Sequence, residues 1–381
     1  MPDSSVLLNW PLSVEESSRS LETSWDAPYT AIWQGSNPSE GRWIREMLGP
    51  FLGEWVVDGE RQVVRDHAII FDHFITARDR GYYARFRGLD AILVDFSDEN
   101  YDFDPEIYAY FRGVIRGGHW ASVFRADKVE FLPLGYTANL KLPDAPVKRS
   151  TERQYAWSFL GQVNKASRPD MARELARIEP HLLFATDKVP GLGMFNRTPE
   201  GNRRYSQAEN TEILLNSVFA PCPMGNVNLE CFRVYEALAC GTIPIVEKRI
   251  TLDYFREIWG QDHPVPTVSS WAAAGKLIRH LLDRPAEINL LQQRCTEWWE
   301  RYRENRTQQL GEFLARRSAD PTVLEADDLV YPRFRLPGWK VAELVRHHDL
   351  RALSRRVERQ VTRLLTSGKL RVAATGSARR T

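Results

Sequence analysis

A chain of 381 residues that is 43% hydrophobic, with 12 Trp, 13 Tyr and 17 Phe, carries enough apolar surface for two cores and excludes disorder as its dominant state. Its 51 Lys+Arg against 50 Asp+Glu, net +1, give no global signal for nucleic acid. The four cysteines (Cys222, Cys231, Cys240, Cys295) lack metal-site spacing and are too sparse for a disulfide framework. They read as structural or inert thiols.

The start MPDSSVLLNWPLSVEES has no signal-like pattern, and no run of about 18 apolar residues occurs. A cytoplasmic location is the expectation. YTAIW (29–33), DHAIIF (66–71), DAILVDF (90–96) and KVEFLPLGY (128–136) are short runs rich in β-branched and aromatic residues, the pattern of buried strands. Segments 42–51 and 105–116 can supply helices between them, so the architecture is alternating α/β. The polar stretch LKLPDAPVKRSTER (140–153), with two prolines and no periodicity, reads as a linker.

A second α/β set follows. YAWSFLG (155–161) is a strand, 168–178 a helix and HLLFAT (181–186) a strand. Ser206 and Glu209 have capping-box spacing for a helix reaching about Leu215. SVFAPCP (217–223), a helix over 230–240 and the strand TIPIV come next. After VPTV (265–268), Ser269 or Ser270 can cap a helix through Leu282, and Pro285 can open the last one. That final helix, over about 286–316, has Trp298, Trp299 and Tyr302 on one side and could reach back across the linker. The resulting division is 1–145, 146–320 and a C-terminal extension, 321–381.

Two α/β domains leave a cleft, and open α/β sheets bind ligands beyond the carboxyl ends of their strands. The loops after Leu160 and Ala220 are therefore where chemistry belongs. PCPMGNVNLE is a turn containing Gly225 that leads into a helix amino terminus, a natural seat for a diphosphate. Arg233 in its first turn offers bidentate donors to phosphate. Glu236, three residues on, can accept from a vicinal diol such as a ribose. An exposed i,i+3 pair would give the same pattern.

The stretch PCPMGNVNLECFRVYEALACGTIPIV, together with FLPLGY (131–136), FLGQVNKASRP (159–169) and LVDFSDENYDFDPEIYAYFRGVIRGGHW (93–120), resembles the exostosin-like glycosyltransferases, including their ribitol-xylosyltransferase-like branch. The resemblance implies a GT-B-like fold, with two Rossmann-like domains facing across a cleft. It implies a nucleoside-diphosphate sugar, most simply a UDP sugar, bound mainly by the second domain, and transfer with inversion to a glycan or polyol-phosphate acceptor. Carried onto this sequence, Arg233 would hold the diphosphate and Glu236 the ribose. Arg168, or alternatively Lys165, would be a second diphosphate contact, helped by Gly161 and Gln162. Gly225, Asn226 and Asn228 would complete the loop, Asn228 replacing a serine or threonine of the family pattern.

Direct displacement needs a base on the face opposite the diphosphate. Asp98 and Glu99, in SDEN after the strand ILVDF, are the candidates, with Asp72 and His73 as the rival pair. Arg112 and Arg116, four apart in an expected helix, could bind an anionic acceptor. No cofactor or metal is required by this scheme; Asp102 and Asp104 in YDFD form a D-x-D without the context of a metal site.

From 338 onward, eleven Lys+Arg stand against three Asp+Glu, leaving 40 against 47 in the preceding chain. Within 350–371, Leu350, Leu353, Val357, Val361 and Leu364 form a stripe beside arginines, the pattern of a helix that lies on an anionic membrane or packs on the body. The leading reading is an inverting glycosyltransferase. Alternatives are a nucleotide-sugar epimerase or phosphorylase, or a sugar-nucleotide or glycan-binding subunit without turnover.

Overall fold

The computed structural model describes residues 28–34, 41–72, 80–96, 105–117, 127–137, 140, 142, 146–188, 196–197, 205–225, 229–249 and 253–323. The first domain runs β1 (Tyr29–Gln34), α1 (Gly41–Leu48), β2 (Leu52–Val57), β3 (Ala68–Asp72), α2 (Arg80–Tyr83), β4 (Ala91–Asp95), α3 (Pro105–Tyr108), β5 (Gly113–Arg116) and β6 (Val129–Phe131). Its strands pair in parallel in the order β2-β1-β3-β4-β5-β6. AIIFD and AILVD are buried at every position, because both faces of the sheet are covered. Ile70, Leu93 and Val114 pack with Tyr82, Tyr83, Phe86 and Phe111 on one side. Their alternates Ile69, Phe71, Ile92, Val94 and Ile115 join Trp43 and Met47 of α1 on the other.

Residues 105–116 correct the expectation of one helix. A single turn is followed by a buried strand, in which Val114 and Ile115 pair with Leu93 and Val94. Gly113 sits so close beneath the final helix that a Cβ there would lie 2.8 Å from Phe313. Arg112 and Arg116 therefore leave from opposite ends of β5 and share no helix face. Arg112 lies 3.4 Å from Asp90 and donates to the Ser318 carbonyl at 2.7 Å. Arg116 is buried, with Nη1 on the Tyr108 hydroxyl at 3.0 Å. The edge strand β2 is not among the strands expected from the sequence; its residues are half-buried or exposed.

The second domain runs β7 (Tyr155–Gly161), α4 (Arg168–Leu175), β8 (His181–Ala185), the two-residue strands β9 (Asp187–Lys188) and β10 (Asn196–Arg197), α5 (Gln207–Leu215), β11 (Ser217–Cys222), α6 (Phe232–Ala239), β12 (Ile243–Glu247), α7 (Tyr254–Trp259), β13 (Thr267–Val268), α8 (Trp271–Leu282) and α9 (Pro285–Ala319). Its main sheet is parallel, in the order β13-β12-β11-β7-β8. Two helices begin where their caps place them. Ser206 Oγ accepts from Glu209 N at 3.2 Å while the Glu209 carboxylate accepts from Ser206 N at 2.7 Å, and Ser270 Oγ accepts from Ala273 N at 3.2 Å.

The 35-residue α9 does reach back to the first domain. Arg306 pairs with Glu130 at 2.5 Å, and the Tyr29 hydroxyl donates to the Leu314 carbonyl at 3.4 Å. Trp299 stacks on Trp43 of the first domain with centroids 5.6 Å apart, and its centroid is also 5.6 Å from that of Tyr235 on α6. Two Rossmann-like domains in a GT-B-like arrangement are the result. No described helix is long and apolar enough to cross a membrane. The expected helix within 350–371 lies outside the described residues.

Residues 134–137 form the strap between the domains. Gly135 has φ +65°, and a Cβ there would lie 2.2 Å from Trp43 Cγ, whose indole N–H donates to the Pro133 carbonyl at 2.8 Å. A side chain at 135 is thus opposed by both backbone and packing. Gly135→Ala should cost about 3 kcal/mol, measurable by urea denaturation; an unchanged midpoint would show that the strap is not held against Trp43.

Candidate functional site

The site is built where the carboxyl ends of neighbouring strands β7 and β11 meet the start of α6. The amino end of α6 has no side-chain cap on its N-cap residue Cys231 and no acidic residue in its first turn. Its leading N–H groups thus receive no acceptor from the N-cap side chain or from an acid in the first turn. A cation, Arg233, stands there instead.

Arg233 Nη2 donates to the Leu160 carbonyl at 2.5 Å, and its guanidinium lies 4.1 Å from the centroid of Phe159. Gly161 explains how it fits. With φ +151°, that position suits glycine, and a Cβ there would lie 3.1 Å from Arg233 Nη2. Arg168, only 7% exposed, approaches the same ring at 5.8 Å. Its Nε donates to the Met224 carbonyl at 3.2 Å and its Nη1 to the Gln162 carbonyl at 3.1 Å. Burial first, then the charge of Arg233, push the Arg168 pKa down to about 10. It stays protonated at neutral pH, so two like charges share one aromatic ring.

Among the described residues no carboxylate oxygen is within ion-pair distance of either guanidinium, and Arg168 Nη2 and Arg233 Nε and Nη1 donate no hydrogen bond. Buried cations are ordinarily paired, so this arrangement calls for an anion. The position of Arg168 is itself braced: Ser167 Oγ and the Trp271 indole both donate to Glu247 Oε1.

Glu236, 7% exposed, accepts at Oε1 from Thr137 Oγ1 at 3.0 Å and from Gln207 Nε2 at 3.3 Å. Gly225 is buried at the end of the described part of the loop. Gln162 contributes its carbonyl to Arg168, and Lys165, half-buried, accepts from the Arg168 N–H at 3.1 Å through its own carbonyl. Arg168 is the residue that shares the Phe159 ring with Arg233. Asn226 and Asn228 lie outside the described residues.

The first-domain candidates divide. Asp98, Glu99, His73, Asp102 and Asp104 lie outside the described residues. Asp72 ends β3 at 2% exposure, with Arg61 Nη1 2.7 Å from Oδ2, Arg61 Nη2 3.2 Å from Oδ1 and the Tyr83 hydroxyl on Oδ2. Both of its oxygens are engaged, which corrects its reading as a base. Among the described residues no group of three or more His, Cys, Asp or Glu could hold a metal ion.

Thr137, Gln207 and Cys231 are parts of this neighbourhood that the sequence did not single out. Thr137 directly follows FLPLGY and Gln207 follows the capping Ser206, so adjacency to recognised motifs was the available signal. Cys231 stands apart from the other three cysteines in its surroundings. A hydrogen bond from the Cys222 thiol, opposed by burial and reinforced by the charges of Arg233 and Arg168, holds its pKa below the usual thiol range. Burial pushes Cys222 up and puts Cys240 and Cys295 at about 12. Since the thiolate is the nucleophile, iodoacetamide at neutral pH should label Cys231 ahead of the other three, as read by peptide mass mapping; equal labelling would show that the arginines do not act on that thiol.

Residues 136–317 match the family model described as the RXYLT1 C-terminal domain. Curated relatives are ribitol-5-phosphate xylosyltransferase 1 of Danio rerio, 33% identical over 105 residues, covering 26% of this chain and 22% of that protein, and of Homo sapiens, 30% identical over 122 residues, covering 31% and 26%. The matched segments thus span about a quarter of those relatives' length. Solved structures that align are T4 phage BGT in complex with UDP-glucose, at 12% identity and TM-score 0.43 over 76% of this chain and 98% of that one, and Anabaena HepE in complex with UDP, at 12% identity and TM-score 0.48 over 76% and 100%. These are likenesses of chain path alone. Residues 136–317, which hold the second domain, are thus similar to the RXYLT1 C-terminal domain, in keeping with the resemblance of the loop-and-helix motif.

Proposed function

We propose that the chain is a glycosyltransferase that grips a nucleoside-diphosphate sugar in its second domain and moves the sugar, with inversion, to an acceptor hydroxyl presented by the first. One observation carries this reading: Arg168 and Arg233 converge on Phe159 with spare donors and no carboxylate partner among the described residues. As the glycosidic bond breaks, negative charge grows on the departing diphosphate. Fixed cations and helix N–H groups, already oriented, stabilise that charge without reorganising. Glu236, about one turn along α6, accepts from the adjoining ribose. The donor is a UDP sugar on this reading.

The acceptor hydroxyl is a poor nucleophile and attacks from the face away from the diphosphate, so a base in the first domain takes its proton. Asp98 or Glu99, which follow β4 in the chain, is the residue proposed for that role. The name of the relatives favours a pentosyl donor and a polyol-phosphate acceptor, and the family match over residues 136–317 includes the part read here as the donor side.

Calorimetry with UDP, GDP, CDP and ADP tests the donor class. UDP should bind, and Arg233→Ala should weaken it roughly ten- to a hundredfold while changing uridine binding little. No heat with any of the four would overturn the reading, and equal losses for UDP and uridine would reduce Arg233 to a support for its helix. Turnover of a UDP sugar with no acceptor would indicate an epimerase. Binding with no turnover under any acceptor would indicate a binding subunit.

The basic segment within 350–371, outside the described residues, is proposed to hold the enzyme at the cytoplasmic leaflet of an anionic membrane through its apolar stripe and arginines. The full chain should float with vesicles containing phosphatidylglycerol, and the chain ending at 349 should not. Equal flotation would remove the membrane role.

A further inference from the structure

Glu236 is held by three elements at once. It belongs to α6, while its Oε1 accepts from Thr137 of the interdomain strap at 3.0 Å and from Gln207 in the first turn of α5 at 3.3 Å. A carboxylate oxygen has about two lone-pair directions, so these two donors saturate Oε1. Oε2 accepts no hydrogen bond among the described residues.

The strap that supplies Thr137 is fixed along its length. The Leu134 N–H donates at 2.8 Å to Glu230, just before α6. Glu230 also accepts from the Tyr235 and Tyr254 hydroxyls. Gly135 lies against Trp43, and the Tyr136 hydroxyl donates to Glu46 of α1. Two carboxylates near the start of α6, Glu230 and Glu236, thereby tie the strap to the donor domain at either end.

We propose that Thr137, with Gln207, is a positioning residue for the donor's ribose: by filling Oε1 of Glu236 it turns Oε2 alone toward the 2′ and 3′ hydroxyls, so that nucleotide recognition depends on the strap joining the domains. This rests on the donor reading above. The two hydroxyls of a cis diol match the two lone-pair directions of one oxygen, and a nucleotide lacking both gains nothing from a well-oriented Glu236. The strap also gives the acceptor-side domain a direct hold on the group that reads the nucleoside.

The test is calorimetry of the full chain with UDP and with 2′,3′-dideoxy-UDP. Thr137→Val keeps shape and removes the donor; it should weaken UDP about tenfold and leave dideoxy-UDP unchanged. Thr137→Ser restores the hydroxyl and should restore UDP affinity. Equal weakening of both nucleotides by Thr137→Val, or none of either, would overturn the proposal while leaving the donor site standing. Wild-type protein that binds neither nucleotide would overturn both readings. Gln207→Ala provides an independent arm, with the same UDP-selective loss expected; a loss shared by dideoxy-UDP would count against the proposal.

Discussion

Two guanidiniums held against one phenyl ring, with no carboxylate paired to either among the described residues, is the constraint around which the second domain is organised. Like charges in a poorly solvated place repel, and the lowered pKa of Arg168 records that burden together with the cost of burial. A single aspartate nearby would relieve it and would also occupy the donors that an anion needs. Backbone carbonyls of Leu160, Gln162 and Met224 hold the arginines instead, because a carbonyl fixes orientation without cancelling charge. Gly161 leaves the room that Arg233 requires. Stability is given up locally for a preformed countercharge, the usual sign of a functional site.

Arg153 shows what a purely structural arginine looks like in the same domain. Its Nε donates to the Lys148 carbonyl, its Nη1 to the Leu214 and Ser217 carbonyls and the Thr242 hydroxyl, and its Nη2 to the Cys240 carbonyl. Every nitrogen is engaged, and the residue knits the amino-terminal ends of the sheet to its connections. Burial pushes its pKa down to about 10, as it does for Arg168. Burial therefore does not distinguish the two; unmet donors do. Arg168 uses two nitrogens and Arg233 one, both at the carboxyl ends where an open α/β sheet takes ligands.

Local rules made much of this legible. Alternation of apolar runs gave β3, β4 and β11, the Ser206–Glu209 spacing gave the start of α5, and Arg233 followed by Glu236 marked one turn of α6. The reading failed where tertiary contacts decide. Residues 105–116 have helical composition at their start, yet Gly113 must pass beneath Phe313 and Arg317, some two hundred residues later in the chain, and only an extended backbone threads that gap. Thr137 and Gln207 are unremarkable locally. Their meaning comes from meeting one carboxylate from 99 and 29 positions away, and no short-range period encodes such a meeting. The surroundings of Cys231, with Cys222 and two arginines nearby, are likewise set by tertiary contacts.

The two domains differ most at the carboxyl ends of their sheets. In the first, the two carboxylates that close β3 and β4 are held by neighbours: Asp72 by Arg61 and Tyr83, and Asp95 by Tyr108, which in turn accepts from Arg116 at 3.0 Å. Carboxylates held in this way are rigid and chemically quiet. In the second, Arg168, Arg233 and Glu236 keep unsatisfied donors and acceptors. A transfer reaction run on this framework would take its leaving-group chemistry from the strand ends of one domain. Its proton chemistry would have to come from loops beyond the strand ends of the other, because the carboxylates on those strands are already committed.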